Sequence, residues 1–275
     1  MKKFQGTLIC TDLDGTLLRG NNDVSPENRE AIEYFKSEGG YFTFITGRPP
    51  YISRSIYEMV RPNAPIGCFN GGGIFDFESG EYLWKQAMAH DVLELVQYAD
   101  QNVEGIGIQV NGFDQLYFCT ENEMMEYFRY LVGIPKTEMH YLDTNFPIAK
   151  ILFGDLVTEH ISKLAELLPK HPKAEQFEFV CSEETLFEIL PKGIHKGTVL
   201  PILAERLGVD PRHTIAVGDY DNDVGMIREA GIGFAVANAS PAAKAAADYV
   251  TVSNDEHAIA RIIWDLDAGR LKFPQ

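Results

Sequence analysis

A chain of 275 residues that is 45% hydrophobic and 23% charged can bury a real core, as one large domain or two medium ones, which excludes a disordered polymer. A formal net charge of -16, with no basic block, repels polyanions and argues against nucleic acid or an anionic membrane as partner. The four cysteines, Cys10, Cys68, Cys119 and Cys181, stand far apart without Cys-x-x-Cys spacing, so they read as reduced core residues and exclude a disulfide framework or zinc site.

In chain order, Met1 to Gly6 lacks the apolar segment of a signal peptide, and nowhere do about 18 apolar residues run together, so a soluble, cytoplasmic protein is expected. The apolar run Leu8-Ile9-Cys10 predicts a buried strand, and it ends in Asp12-Leu13-Asp14-Gly15-Thr16. Ser25-Pro26 caps a helix carrying Ala31, Ile32 and Phe35, which stops at Gly39-Gly40. Tyr41 to Ile45 is a second strand, ending in Thr46-Gly47-Arg48-Pro49 before a helix marked by Ile52, Ile56, Met59 and Val60. Pro65 to Phe69 reads as a third parallel strand, ending in Asn70-Gly71-Gly72-Gly73.

From Gln86 to Leu190 the pattern changes. A helix with Val92, Leu93, Leu95 and Val96 precedes a predicted hairpin, Ile106 to Val110 and Gln115 to Phe118, turning at Asn111-Gly112. A helix near Met124 to Leu131, a strand Ile148 to Phe153, a helix near Ile161 to Leu168 and two strands around Phe177 to Val180 and Leu186 to Leu190 follow. Adjacent strands with intervening helices predict an α+β insertion with its own sheet. Beyond it, a helix starts at Lys196-Gly197, Thr214 to Val217 ends in Gly218-Asp219, Gly233 to Val236 ends near Asn238, and Tyr249 to Thr251 is a last strand before Ile259, Ile262, Ile263 and Leu266. This alternation predicts an α/β fold with a doubly wound parallel sheet, its core domain being residues 1-85 and 191-275 and the inserted domain 86-190.

Ligands of open α/β sheets bind beyond the carboxyl ends of the strands, and Asp12, Thr46 and Asp219 each occupy such an end. With Lys196 they offer a nucleophile, a hydroxyl donor, a cation and metal-binding carboxylates, the set that phosphoryl transfer needs. Each residue has a plainer reading: Asp-Gly makes turns, Thr46 can cap a helix, and Lys196 and Arg48 can be surface charges. Gly71 to Gly73 form either an anion nest or a turn. Lys150 is read as a sheet-face lysine, and the histidines lack metal spacing. Asp219-x-Asp221-x-Asp223 is not a calcium loop, because Val224 and Ala230 stand where glycine and glutamate are required. Neither a Gly-x-Ser-x-Gly elbow nor a Walker loop is present.

Taken together, Asp12-Leu13-Asp14-Gly15-Thr16, Thr46-Gly47-Arg48, Lys196-Gly197 and Gly218-Asp219-Tyr220-Asp221-Asn222-Asp223 resemble, in order, the four motifs of the haloacid dehalogenase superfamily. The strand-rich insertion between the second and third motifs, with Asn70-Gly71 and Ile74, resembles the type-two cap of its Cof-like sugar-phosphatase branch. Tyr220-Asp221 departs from the small or polar residues of many relatives without removing a motif acid. The resemblance implies a magnesium-dependent phosphatase acting on a small phosphorylated metabolite, a sugar phosphate or a phosphorylated cofactor. In that reading Asp12, the Asp14 backbone carbonyl and Asp219 hold Mg2+, supported by Asp223. Asp12 attacks phosphorus, Asp14 is the acid and then the base, and Thr46 and Lys196 bind phosphoryl oxygens, while Gly47, Arg48, Asn70, Gly71 and Asn222 contact substrate. A phosphomutase, or a noncatalytic phosphometabolite sensor, would keep the same motifs. Monomer and homo-oligomer both remain open. Substrate choice is expected to lie in the cap, with hinges near Leu83 to Gln86 and Pro191 to His195.

Overall fold

The computed structural model describes residues 2-20, 22-136 and 139-274. Its first elements are β1 (Leu8–Thr11), α1 (Pro26–Ser37), β2 (Tyr41–Phe44), α2 (Pro50–Val60), β3 (Ile66–Cys68), β4 (Gly73–Asp76) and β5 (Glu81–Lys85). Next come α3 (Val92–Asn102), β6 (Gly107–Gly112), β7 (Leu116–Thr120), α4 (Glu123–Val132), β8 (Ile148–Gly154), α5 (Thr158–Leu167), β9 (Phe177–Glu183) and β10 (Leu186–Pro191). The chain ends with α6 (Lys196–Leu207), β11 (Thr214–Gly218), α7 (Val224–Glu229), β12 (Ile232–Ala235), α8 (Pro241–Ala246), β13 (Tyr249–Val250) and α9 (Ala258–Asp267). Among the described residues no helix is long and apolar enough to cross a membrane.

The chain divides into two compact units, Met1–Lys85 with His195–Gln275, and Gln86–Ile194. The sequence reading put the second boundary at 190/191. The structure keeps 191-194 with the second unit because Pro191 pairs with Phe177 in β9 and Ile194 N donates to Pro191 O.

In the first unit the sheet order is β13-β12-β11-β1-β2, with every pair parallel. The central strands are buried along their whole length, which is why they read as continuous apolar runs and not as alternating ones. Leu8, Cys10 and Ala216 face Val199, Leu200 and Leu203 of α6 and Met226 of α7. By strand alternation Ile9, Ile215 and Val217 face the opposite way, and α1 packs on α9, where Asn28 Oδ1 accepts from Ala260 N at 2.9 Å. Helices therefore cover both faces, the doubly wound arrangement expected from sequence.

One strand differs from expectation. Among the described residues β3 meets the parallel sheet at the Ile45–Gly67 bridge and belongs to an antiparallel sheet, β3-β4-β5. The chain reverses because Phe69 and Asn70 both adopt left-handed backbone, φ 52° and 53°, so that Gly73 returns opposite Cys68.

The second unit is a five-stranded antiparallel sheet, β7-β6-β8-β10-β9, whose Ile108, Val110, Ile151, Phe153 and Ile189 form a core with Val92 and Val96 of α3 and Leu164 of α5. Asn111-Gly112 is not the turn of the β6–β7 hairpin. Asn111 stays in the ladder, paired with Leu116 and Lys150, and the chain turns at Phe113-Asp114-Gln115. Lys150 is 6% exposed and its ammonium lies 2.7 Å from Glu188 Oε2, a buried pair inside this sheet.

Candidate active site

The strand order places β1 between β2 and β11, so the chain leaves β1 at the point where the winding direction changes. In open α/β sheets this is where ligands bind, beyond the carboxyl ends of the parallel strands. Asp12 extends β1 by one ladder bond, its N–H donating to Val217 O at 2.9 Å. Thr46 follows β2, with its N–H on Gly67 O and its carbonyl accepting from Asn70 N, both at 3.0 Å. Asp219 follows β11, and its carbonyl accepts from Ser240 N at 2.7 Å. Lys196 opens α6.

These segments converge on one buried ammonium. Lys196 is 1% exposed, and its Nζ lies 2.7 Å from Asp12 Oδ1 and 2.6 Å from Asp223 Oδ1. The other Asp223 oxygen accepts from the backbone N–H groups of Asp219 (2.9 Å) and Tyr220 (3.1 Å), so Asp223 fastens the loop after β11 to Lys196. Asp219 Oδ1 accepts from Thr16 Oγ1 at 2.7 Å, tying the same loop to the first motif. The turn between them needs Gly15. Its φ is +74° and a Cβ would lie 2.4 Å from Asp219 Oδ2. Gly15→Ala should therefore cost about 1–2 kcal/mol of stability, the scale of forcing an L side chain into left-handed backbone, and should push Asp219 from its place. Denaturant unfolding checks the first effect and the affinity for a divalent cation the second; an unchanged melt together with an unchanged affinity would refute both.

Oxygens of Asp12, Asp219 and Asp223 lie within 4.8 Å of one another. Three carboxylates thus face one ammonium. Burial, and next the charge of Asp223, push the Asp12 carboxyl well above the usual range, with Lys196 pulling the other way. Burial and Asp223 likewise push Asp219 up to about 7, against the Thr16 hydrogen bond and Lys196. Burial works against the Lys196 charge, but Asp12 and Asp223 outweigh it and hold its pKa above that of ordinary lysine. A surplus of hard anionic oxygens fits a small divalent cation such as Mg2+. Asn222, the residue before Asp223, has its Oδ1 buried without a hydrogen-bond partner.

Of the residues singled out from sequence, Asp12, Lys196, Asp219 and Asp223 meet in this cluster. Asp14 does not point its carboxylate into it. It pairs with Arg48, Nε on Oδ2 at 2.9 Å and Nη2 on Oδ1 at 2.5 Å. Thr46 Oγ1 accepts from Arg48 N at 3.2 Å, leaving its own proton to donate. Asn222 Nδ2 donates to Asn70 Oδ1 at 3.1 Å. Gly71, with φ +97°, is pressed against the start of α6, where a Cβ would sit 2.1 Å from His195 O. The Asn70-Gly71 turn thus braces Thr46, Asn222 and the helix that carries Lys196. Sequence reasoning missed Thr16, and it missed Asn238 and Ser240, which hold the Gly15 carbonyl and the Asp221 carboxylate at 2.8 Å each. Their signal was present, since both follow a predicted strand end.

A family model for haloacid dehalogenase-like hydrolases matches residues 9–263. The chain is 29% identical over 256 residues to the 5-amino-6-(5-phospho-D-ribitylamino)uracil phosphatase YcsE of Bacillus subtilis, covering 93% of this chain and 94% of that protein. Among solved structures it is similar to a haloacid dehalogenase-like hydrolase from Bacteroides thetaiotaomicron, at 28% identity and TM-score 0.81, covering 95% of this chain and all of the other. The subclass IIB sugar phosphatase BT4131 shares the fold at 22% identity and TM-score 0.82, covering 95% and 99% of the two chains. With its motif residues gathered at the strand ends and the family model spanning nearly its whole length, the chain belongs to the haloacid dehalogenase-like hydrolases.

Proposed function

We propose that this chain is a magnesium-dependent phosphatase that hydrolyses small phosphate monoesters through an aspartyl-phosphate on Asp12. The observation that carries the reading is the buried Lys196 ammonium, 2.7 Å from Asp12 and held in place by Asp223. It keeps a cation beside the attacking carboxylate and beside the position a dianionic phosphoryl group would take, where screening of like charges is needed. Asp12, Asp219 and the Asp14 carbonyl would hold Mg2+, supported by Asp223, and the bound ion would supply charge neutralisation for the approach of a carboxylate to a phosphate.

The remaining chemistry belongs to side chains. Asp12 displaces the alcohol at phosphorus, and Asp14 gives its proton to the departing oxygen. Asp14 then takes a proton from the water that attacks the aspartyl-phosphate, which restores both acids. The Thr46 hydroxyl and Lys196 donate to phosphoryl oxygens, with Gly47, Asn70, Gly71 and Asn222 shaping that pocket. Selectivity for the alcohol part is assigned to the inserted domain, 86-190. YcsE supports a polyol monophosphate as a first choice of substrate class, since it is named for a ribitylamino ester.

The test is phosphate release with magnesium from a panel of phosphorylated sugars, sugar alcohols and cofactors, with Asp12→Asn as the blank. Magnesium-dependent release well above the blank supports the reading. Isomerisation of a sugar phosphate without release would assign a mutase, and binding without any turnover a sensor.

A further inference from the structure

Arg48 follows Thr46-Gly47 and, by its place in the motif, would be given to the substrate. The geometry places it elsewhere. Its guanidinium forks onto both oxygens of Asp14, at 2.9 and 2.5 Å. Its backbone N–H meanwhile fixes the Thr46 hydroxyl at 3.2 Å.

We propose that Arg48 is a positioning residue for proton transfer, acting through Asp14 and not through the phosphoryl group. The inference rests on the reading of Asp14 as the acid–base residue. A proton moves only when the carboxyl oxygen comes within about 2.6–3.2 Å of the ester oxygen. Asp14 is 41% exposed, and its side chain has two rotatable bonds, so packing alone does not hold it at that distance. A guanidinium fork does: its two parallel N–H donors fix the plane and position of the carboxylate, and one of them still holds the unprotonated oxygen when Asp14 carries its proton. The cation that a phosphoryl group requires is already supplied by Lys196, buried and 2.7 Å from Asp12.

The balance of the two steps shows what is being held. In the first, the Asp14 proton goes to the ester oxygen as the bond from phosphorus to that oxygen breaks with its electron pair. Asp14 is left as the carboxylate, the form the fork matches. In the second, water forms a bond to phosphorus, the bond to Asp12 breaks, and the water proton passes to Asp14. Arg48 keeps the carboxylate in place between the two.

An aryl ester separates this role from substrate binding, because p-nitrophenolate leaves without needing a proton. Steady-state kinetics of wild type, Arg48→Ala and Arg48→Lys are compared on p-nitrophenyl phosphate and on an alkyl monoester such as a hexose 6-phosphate. Arg48→Ala should lower kcat/KM on the alkyl ester, which reports only the steps up to departure of the alcohol, by about 10²-fold, the scale of a general acid, with inhibition by inorganic phosphate nearly unchanged. On the aryl ester the loss in kcat/KM should be smaller than about tenfold, while kcat, which includes the hydrolysis of the aspartyl-phosphate shared by both esters, should fall on both. In an Asp14→Asn background the same substitution should cost nothing further, since the two residues act as one unit. Arg48→Lys keeps a cation but not the fork, so it should show the same ester dependence; it carries the comparison if truncation unfolds the chain. Equal losses of kcat/KM on both esters, a rise in KM with kcat kept, or additive losses in the double variant would return Arg48 to substrate binding and overturn the proposal. A wild-type chain that releases phosphate from neither ester overturns the phosphatase reading and this one with it.

Discussion

Asp12→Asn should abolish turnover while leaving the fold as stable as before or more so. An amide of the same shape has no nucleophilic oxygen, so phosphate release should fall by about 10⁴-fold or more, the scale seen when a covalent nucleophile is removed. Stability moves differently. Burial and the neighbouring Asp223 raise the folded pKa of Asp12, so its ionisation opposes folding as pH rises above the unfolded carboxylate value. Asparagine removes that charge and relieves the crowding of three carboxylates around Lys196. Melting of the metal-free variant at pH 7 should therefore match or exceed wild type. Loss of activity with a lowered melting temperature would point to simple misfolding instead.

Lys196→Met should be the most destabilising single change in the site. The substitution strips the ammonium from two carboxylates that are themselves almost fully buried, Asp12 and Asp223. Leaving buried charges unpaired costs on the order of 3–5 kcal/mol, whereas the methionine stem conserves most of the packing. The sign of the pH dependence follows from the direction of the carboxylate shifts. Asp219 is raised to about 7 and Asp12 is raised as well, so protonation relieves the cluster in acid and ionisation burdens it as pH rises toward and past 7. The deficit of Lys196→Met, measured by denaturant unfolding without metal, should be small near pH 5 and grow toward pH 8. A deficit that is flat with pH would mean the lysine contributes packing and not charge. Phosphate affinity should fall with it, because the proposed function makes Lys196 a donor to the phosphoryl oxygens.

Much of the core was legible because its physics is local. Strands such as Leu8–Thr11 and Thr214–Gly218 are buried on both faces and must be apolar throughout, while the acids that follow them mark the strand ends. The acids could be placed on one site from sequence because parallel strands bring their carboxyl ends together. What sequence did not give were features that depend on backbone turns of unusual sign or on side-chain direction. β3 was read as a parallel strand because nothing in Phe69-Asn70 announces two successive left-handed residues, neither being glycine. Asn111-Gly112 carries a strong hairpin signal, yet Asn111 is retained in β6, where its amide donates to Gln109 Oε1 at 3.0 Å. The Arg48–Asp14 fork links residues 34 apart in the chain, and motif spacing cannot say whether an arginine beside a phosphate site faces substrate or a neighbouring acid. Thr16 sat inside the first motif, but its bond to Asp219 becomes visible only when β1 and β11 are adjacent.

The most direct measurement is chemical trapping of the covalent intermediate. An acyl phosphate is reduced by borohydride to the alcohol, so rapid quenching during turnover, reduction and peptide mass spectrometry should find homoserine in place of aspartate at position 12. The modification should require substrate and magnesium and be absent from position 14. Steady phosphate release with position 12 unmodified, or with the reduced residue at another acid of the cluster, would contradict Asp12 as the nucleophile.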